Sequence, residues 1–309
     1  MDAVRSALRD LGREAVFLDQ RRNSSMRVRL KPSRRGDVNG SISSAGEVLN
    51  LGEIGSAYIR PIETRKAMPE PDVEGKALQH AIAVDTTLIA WSDLTSAQVV
   101  NRPSAMASNH SKPYQASLIR NLGFRTPRTL ITTDPAAASQ FVKSHACVVY
   151  KSISGVRSVV SRLSGSDPEA LQDVANCPTQ FQEYIDGHEV RVHVVGRTTI
   201  STKIDSGASD YRYAHLTDAS VTMEPIAIDE SLSAKCVKMA SAMGLHLAGI
   251  DFRVSPSGDW YCLEVNPSPG FTFYEAATGQ AIGRAVAELL CELAQENCGD
   301  GTPRNGSSG

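Results

Sequence analysis

Two carboxylates and a carboxamide near the end of the chain have the types and spacing to hold a metal. Ile250, Phe252 and Val254 alternate with Asp251 and Arg253, and Tyr261, Leu263 and Val265 alternate with Cys262, Glu264 and Asn266. Ser255-Pro256-Ser257-Gly258-Asp259 connects the two runs, and a turn centred on Ser257-Gly258 sets Asp251 opposite Glu264. The two-residue period of a strand then puts Ile250, Phe252, Val254, Leu263 and Val265 on a core face, with Asp251, Glu264 and Asn266 on the other. Directly opposed side chains lie ~5 Å apart, where like charges repel. A divalent cation turns that repulsion into coordination, and Mg²⁺ takes such hard oxygen donors together with phosphate oxygens. On these residues alone, a solvent-exposed hairpin whose acids meet no metal stands as the alternative. The loop Asn266-Pro267-Ser268-Pro269-Gly270 favours the metal, because a plain strand end has little use for it.

Cations suited to an anionic ligand lie upstream. Lys151 closes the apolar run Val148-Val149-Tyr150, and if turned inward it needs an anionic partner. Arg191 and Arg212 suit a carboxylate or a phosphate through bidentate bonds. Surface salt bridging competes with that role for Arg191 and for Lys203. His188, His193, His215 and His246 are scattered and read as structural, with His215 the nearest to Arg212. Neither a G-x-S-x-G elbow nor a G-x-x-x-x-G-K-[ST] loop occurs, which argues against a serine hydrolase and a P-loop enzyme.

These residues need a scaffold of alternating strands and helices. An opening helix carries Val4, Leu8 and Leu11, and Ala15-Val16-Phe17-Leu18 reads as a buried strand. Short strands and loops follow to about residue 50, with a helix from Lys76 to Ile89. The stretch Val99 to Asn109 lacks periodicity and marks a domain boundary. Ser111 caps a helix with Pro113 in its first turn and Gly123 at its end. Thr129–Thr132 is a strand, Asp134-Pro135 opens a helix, Cys147–Ile153 is a strand, Asp167-Pro168 starts a helix, and Gln180–Ile185 is a strand. Strands at Glu189–Val195 and Thr198–Ile204 turn around Gly196. A helix from Ser231 to Met243, the hairpin Leu247 to Pro267 and one last helix from about Glu275 to Glu296 complete the series. The expected division is residues 1–108, 109–186, 187–296 and a disordered tail, 297–309.

Composition is that of an ordinary globular protein: 309 residues, 41% hydrophobic and 21% charged. A net charge of −2 gives by itself no case for a surface that coats nucleic acid, and no apolar run is long enough to span a membrane. The six cysteines form no C-x-x-C pair, several sit in apolar runs, and a reducing cytoplasm is the expected location. The strand that normally opens an α/β domain is missing ahead of Val4. The N-terminal domain is therefore expected to be trimmed, or the true start to lie upstream.

The stretch Cys262 to Gly270, preceded by Asp251, resembles the Mg²⁺ signature of the ATP-grasp superfamily, in the version of the RimK-type ligases and their peptide-macrocyclising relatives. D-alanine–D-alanine ligases share a similar stretch. The resemblance runs from about Ser111 to Ala294, and its partner segments occur in the right order. It implies an α/β (α+β) ATP-grasp fold of two subdomains gripping ATP, preceded by a small, truncated pre-grasp domain. It implies Asp251, Glu264 and Asn266 as Mg²⁺ ligands, with Mn²⁺ as a substitute. It implies phosphate contacts from Lys112, Lys151 and the Ser154-Gly155 loop. It also implies an adenine hinge at Glu183, Tyr184 and Ile185, a ribose acceptor at Glu189, and Arg212, Lys151 and Arg191 around the reacting carboxylate. The activity implied is transfer of the ATP γ-phosphoryl group to a carboxylate, then capture of the acyl phosphate by an amine or hydroxyl. The substrate carboxylate belongs to a small molecule or a peptide, and a homodimer is compatible with the resemblance. One branch joins amino acids or small molecules; another forms side-chain ester or amide cross-links in a ribosomal precursor peptide. Readings of another class are a catalytically inactive nucleotide-binding regulator and a peptide-binding module.

Overall fold

The computed structural model describes residues 1–32, 38–44, 46–67, 75–107, 111–153, 161–163, 171–206 and 220–299. The chain divides into two compact units, Met1–Met106 with Gly283–Gly309, and Ala107–Ile282.

The first unit opens on α1 (Asp2–Asp10), which buries Val4, Ala7 and Leu8 at the helical spacing expected. Ala15 to Leu18 forms no strand, and Val16 is 66% exposed. A continuous apolar run has no period that separates strand from irregular chain, so tertiary pairing decides, and the sheet is built elsewhere. Strands β1 (Arg27–Pro32), β2 (Val38–Ser44) and β3 (Glu47–Asn50) form an antiparallel sheet, while β4 (Ser56–Tyr58) and β5 (Gln98–Val100) pair in parallel. Short helices α2 (Thr64–Ala67) and α4 (Pro103–Met106) flank the long α3 (Lys76–Leu94). Val84 and Trp91 of α3 meet Met26, Val38, Ile42, Leu51 and Ala97 in one core.

The second unit starts with α5 (Lys112–Asn121), with Ser111 at its N-cap position and Pro113 in its first turn. A four-stranded antiparallel sheet follows in the order β6 (Thr129–Thr132), β9 (Thr179–Glu183), β7 (Val148–Ser152), β8 (Ser161–Leu163). Helix α6 (Pro135–Lys143) is capped by Asp134, whose carboxylate accepts from the Ala136 N–H at 2.8 Å. Ala138, Val148, Leu171, Val174 and Phe181 form the core on one face of this sheet.

A second sheet has the order β12 (Val221–Ile226), β11 (Thr198–Ser206), β10 (His188–Val195), β13 (Leu247–Val254), β14 (Trp260–Asn266). Helix α7 (Glu230–Ala242) covers one face and buries Cys236, Met239 and Ala240 there. Val190, Val192, Ile250 and Phe252, all almost fully buried, point to that same core. The last helix expected from the sequence is two, α8 (Thr272–Thr278) and α9 (Ile282–Gly299). Gly279 ends α8 at φ +71°, a left-handed conformation that closes a helix and favours glycine. Gln280 is then held sideways: its Oε1 accepts from the Thr202 hydroxyl at 2.7 Å, and its Nε2 donates to the Ser201 carbonyl at 3.0 Å.

Candidate functional site

The hairpin β13–β14 brings Asp251 opposite Glu264, and Gly249 opposite Asn266. It reaches that pairing by a route the sequence did not show. Near the turn, Val254 pairs with Trp260, Arg253 with Tyr261 and Phe252 with Cys262. An uninterrupted ladder would next set Asp251 against Leu263. The register instead shifts between Phe252 and Asp251, leaving Leu263 as an extra residue, and the two carboxylates meet. β-Bulges beside active sites commonly re-aim a side chain in this way. The expected faces of Cys262 and Leu263 are therefore exchanged: Cys262 is 1% exposed and Leu263 half-buried. The turn accounts for the difference. Ser255 N–H bonds to the Asp259 carbonyl at 3.0 Å, closing a loop centred one half-residue earlier than the two-residue turn expected.

Arg191 of β10 lies directly across from Asp251 and holds it by one hydrogen bond, Nη2 to Oδ2 at 3.0 Å, and an ion-pair contact, Nε to Oδ1 at 2.6 Å. A buried guanidinium, 4% exposed, demands such a partner. Gly249 makes the slot it passes through: a Cβ there would sit 2.3 Å from Arg191 Nη1 and 2.7 Å from Pro269 Cβ. Behind it, His193 is fully buried, edge-on to Tyr274 at 4.9 Å, with Nε2 3.4 Å from the Gly270 carbonyl. Burial and the Arg191 charge push its pKa down to about 3, so the ring is neutral and Nε2–H donates. Thus His193 is structural, as expected, and it anchors the loop that follows β14. Lys203 does not join this cluster. It pairs across from Val190, on the opposite face from Arg191, and binds Asp205 at 2.8 Å and Glu224 at 2.9 Å.

On the four-stranded sheet, Val148 sits in the core, so Val149 and Lys151 face the other way, level with Gln182 and Gln180. Arg162 shares that face, across from Val149. The chain leaves β9 through Tyr184, whose N–H bonds to the Cys147 carbonyl at 3.0 Å. The Tyr184 hydroxyl receives bonds from Arg162 and, at 2.7 Å, from Arg253 Nη2. Both guanidinium groups also lie over its ring, at 3.9 Å for Arg162 and 4.9 Å for Arg253. Arg253 Nη1 in turn holds Glu189 at 2.6 Å. Glu183 is tied down on both sides, its N–H to the Arg128 carbonyl at 2.9 Å and its Oε2 to the Arg128 N–H at 3.2 Å. Ile185 is buried. An open groove of about 650 Å³ runs along this segment, lined among others by His145, Cys147, Arg162 and Tyr184.

Arg253 and Gln115 are the residues that sequence reasoning passed over. Arg253 carried a signal, since it alternates onto the face of Asp251. Gln115 carried none, because a glutamine on an exposed-looking helix has no periodic mark. Lys112 opens α5, one turn before Gln115. Ser154, Gly155, Arg212 and His215 lie outside the described residues.

The donor set fits Mg²⁺. Among the described residues no three His, Cys, Asp or Glu side chains gather. Asp251, Glu264 and Asn266 offer hard oxygens only. The Asn266 Oδ1 accepts from the Ser268 N–H at 2.9 Å, which orients it and leaves a lone pair. Two opposed carboxylates with one guanidinium suit a divalent cation that retains phosphate oxygens and water as its other ligands.

Residues 107–290 match the RimK-like ATP-grasp domain family. The chain is 25% identical over 223 residues to the probable alpha-L-glutamate ligase 2 of Pseudoalteromonas atlantica, covering 69% of this chain and 73% of that one. Among solved structures, a RiPP-associated ATP-grasp ligase of Chryseobacterium gregarium, in complex with ADP and a leader and core peptide, superposes with a TM-score of 0.78 at 22% identity. It covers 94% of this chain and 92% of the other. The ATP-grasp ligase PsnB, complexed with minimal precursor, Mg and ADP, gives 0.75 at 27% identity, covering 95% and 93%.

Proposed function

The chain belongs to the RimK-like ATP-grasp family, and from that premise we propose that it activates a carboxylate of a peptide as an acyl phosphate and couples it to an amine or hydroxyl. It is an ATP-dependent ligase of the ATP-grasp fold that works with Mg²⁺. The observation that carries the metal-dependent chemistry is the Asp251–Glu264 juxtaposition, made by a bulge and backed by buried Arg191. A peptide is favoured over a small molecule because the structural likeness spans 95% of the chain in a protein complexed with a precursor peptide, at 27% identity. The glutamate-ligase relatives cover 69% of this chain.

A carboxylate is a poor acyl donor until its oxygen becomes a phosphate leaving group, and the protein's share is to place charge and exclude water. Asp251, Glu264 and Asn266 would hold Mg²⁺, or Mn²⁺ in its place, which spreads phosphate charge when bound. Lys151, facing away from its core, and Lys112 would lie along the phosphates. Arg191 fixes the Asp251 carboxylate and presents positive charge to the reacting groups. Arg212 is assigned to the same end on the resemblance of its segment. The backbone from Glu183 to Ile185 would take the adenine edge, and Glu189, already oriented by Arg253, the ribose hydroxyls. An amine or hydroxyl then attacks the acyl carbon, and phosphate departs.

The test is ADP release with peptides rich in acidic residues, followed by mass spectrometry of the peptide. Loss of water from the peptide identifies an internal ester or amide; gain of a glutamate residue identifies amino-acid addition. ADP release that no carboxylate-bearing peptide stimulates overturns the peptide assignment. Among the described residues no helix is long and apolar enough to cross a membrane.

A further inference from the structure

β14 is the outer strand of its sheet, so part of its backbone faces away from β13 and needs partners. At Cys262 the partner is backbone: its N–H bonds to the Arg125 carbonyl at 2.8 Å. At Val265 it is a side chain. Gln115 Nε2 donates to the Val265 carbonyl at 2.8 Å, and Gln115 Oε1 accepts from the Val265 N–H at 3.1 Å. The carboxamide thus repeats, in one side chain, the paired exchange that a neighbouring strand would make. Gln115 is 4% exposed, so water offers no substitute for either bond.

Val265 stands between Glu264 and Asn266, and Gln115 lies one helical turn after Lys112. A single bidentate contact therefore fixes the first turn of α5, with its lysine, to the strand segment that carries two of the metal ligands. We propose that Gln115 is a positioning residue for the metal–nucleotide site: it holds Glu264 and Asn266 in a fixed register against Lys112. This rests on the Mg²⁺–ATP reading above.

The experiment is Mn²⁺ titration by electron paramagnetic resonance with ADP present, and ADP binding by calorimetry without metal, on the intact chain and on Gln115→Leu. A positioning role lowers Mn²⁺ affinity in the ADP complex by about tenfold or more, since two bonds to a buried strand are lost. It shifts metal-free ADP binding less than that. Equal weakening of both, or wild-type Mn²⁺ affinity, overturns the proposal. If Gln115→Leu does not fold, Gln115→Glu is read by the same criteria; it keeps the volume but sets an oxygen against the Val265 carbonyl. Glu264→Ala separates this inference from the reading beneath it. If Glu264→Ala abolishes Mn²⁺ binding and the Gln115 variants leave it intact, the positioning role alone fails. If the wild-type chain binds no Mn²⁺ with ADP, both fail.

Discussion

Gly249 and His193 set the demands of the site residue by residue. Gly249→Ala would place a methyl group 2.3 Å from Arg191 Nη1 and 2.7 Å from Pro269 Cβ, so something there must shift. Overpacking of this kind costs about 1–3 kcal/mol, and here it also tilts the guanidinium off Asp251. The expected outcome is a lower midpoint in urea and a kcat that falls more than the KM for ATP rises. For His193 the folded pKa, about 3, lies below the ordinary 6.5. The unfolded chain therefore binds the extra proton between those values, and stability is retained above pH 6.5 and lost as pH falls toward 3. His193→Phe removes that contribution. Urea unfolding at stepped pH should show a shallower acid slope in the variant; an unchanged slope would show that the ring is protonated in the native state. Two thiols follow the same logic of burial. Cys262 is held well above its usual range and Cys236 is pushed up to about 12, so both stay protonated at neutral pH. A thiol reagent should label exposed Cys177 in the native protein before either.

The informative elements are those whose ends depart from regular geometry. The β13–β14 hairpin was legible as a hairpin from its two-residue alternation, whereas the Asp251–Glu264 pair follows from a turn centred half a residue earlier than expected together with a compensating bulge. The bulge was not legible, because a bulge changes no composition; it only skips Leu263 in the ladder. The break between α8 and α9 had a visible mark in Thr278-Gly279, yet the apolar spacing on either side reads as one continuous helix. At Gly279 a Cβ would meet nothing within 4 Å, so only the positive φ opposes substitution. Gly279→Ala should cost about 1–2 kcal/mol in thermal or urea unfolding and leave ADP release near the wild-type rate. The short run Ala15 to Leu18 illustrates the reverse error: four apolar residues look buried, while the sheet they would join is built from β1, β2 and β3.

At the scale of the whole chain, nucleotide and metal should act as one ligand for folding stability. Saturation at about 100 times the dissociation constant adds roughly 2.7 kcal/mol, which a thermal shift reads directly. ATP with Mg²⁺ should raise the midpoint more than ATP with chelator, and Glu264→Ala should erase the difference. An equal shift with and without metal would remove Asp251, Glu264 and Asn266 from the binding account.

The sequence by itself determined the chemistry: hard oxygen donors in alternation, a lysine at the end of an apolar strand, and an order of segments that resembles one superfamily. Residue type and local period carry that information, because a strand's faces and a helix's stripe repeat within a few residues. Tertiary structure alone decided which groups meet. Arg191 reaches Asp251 from a strand 60 residues away, Arg253 links Glu189 to Tyr184, and Gln115 bonds Val265 across 150 residues. Such pairings depend on sheet order and register, which are properties of the packed chain and leave no periodic trace along it.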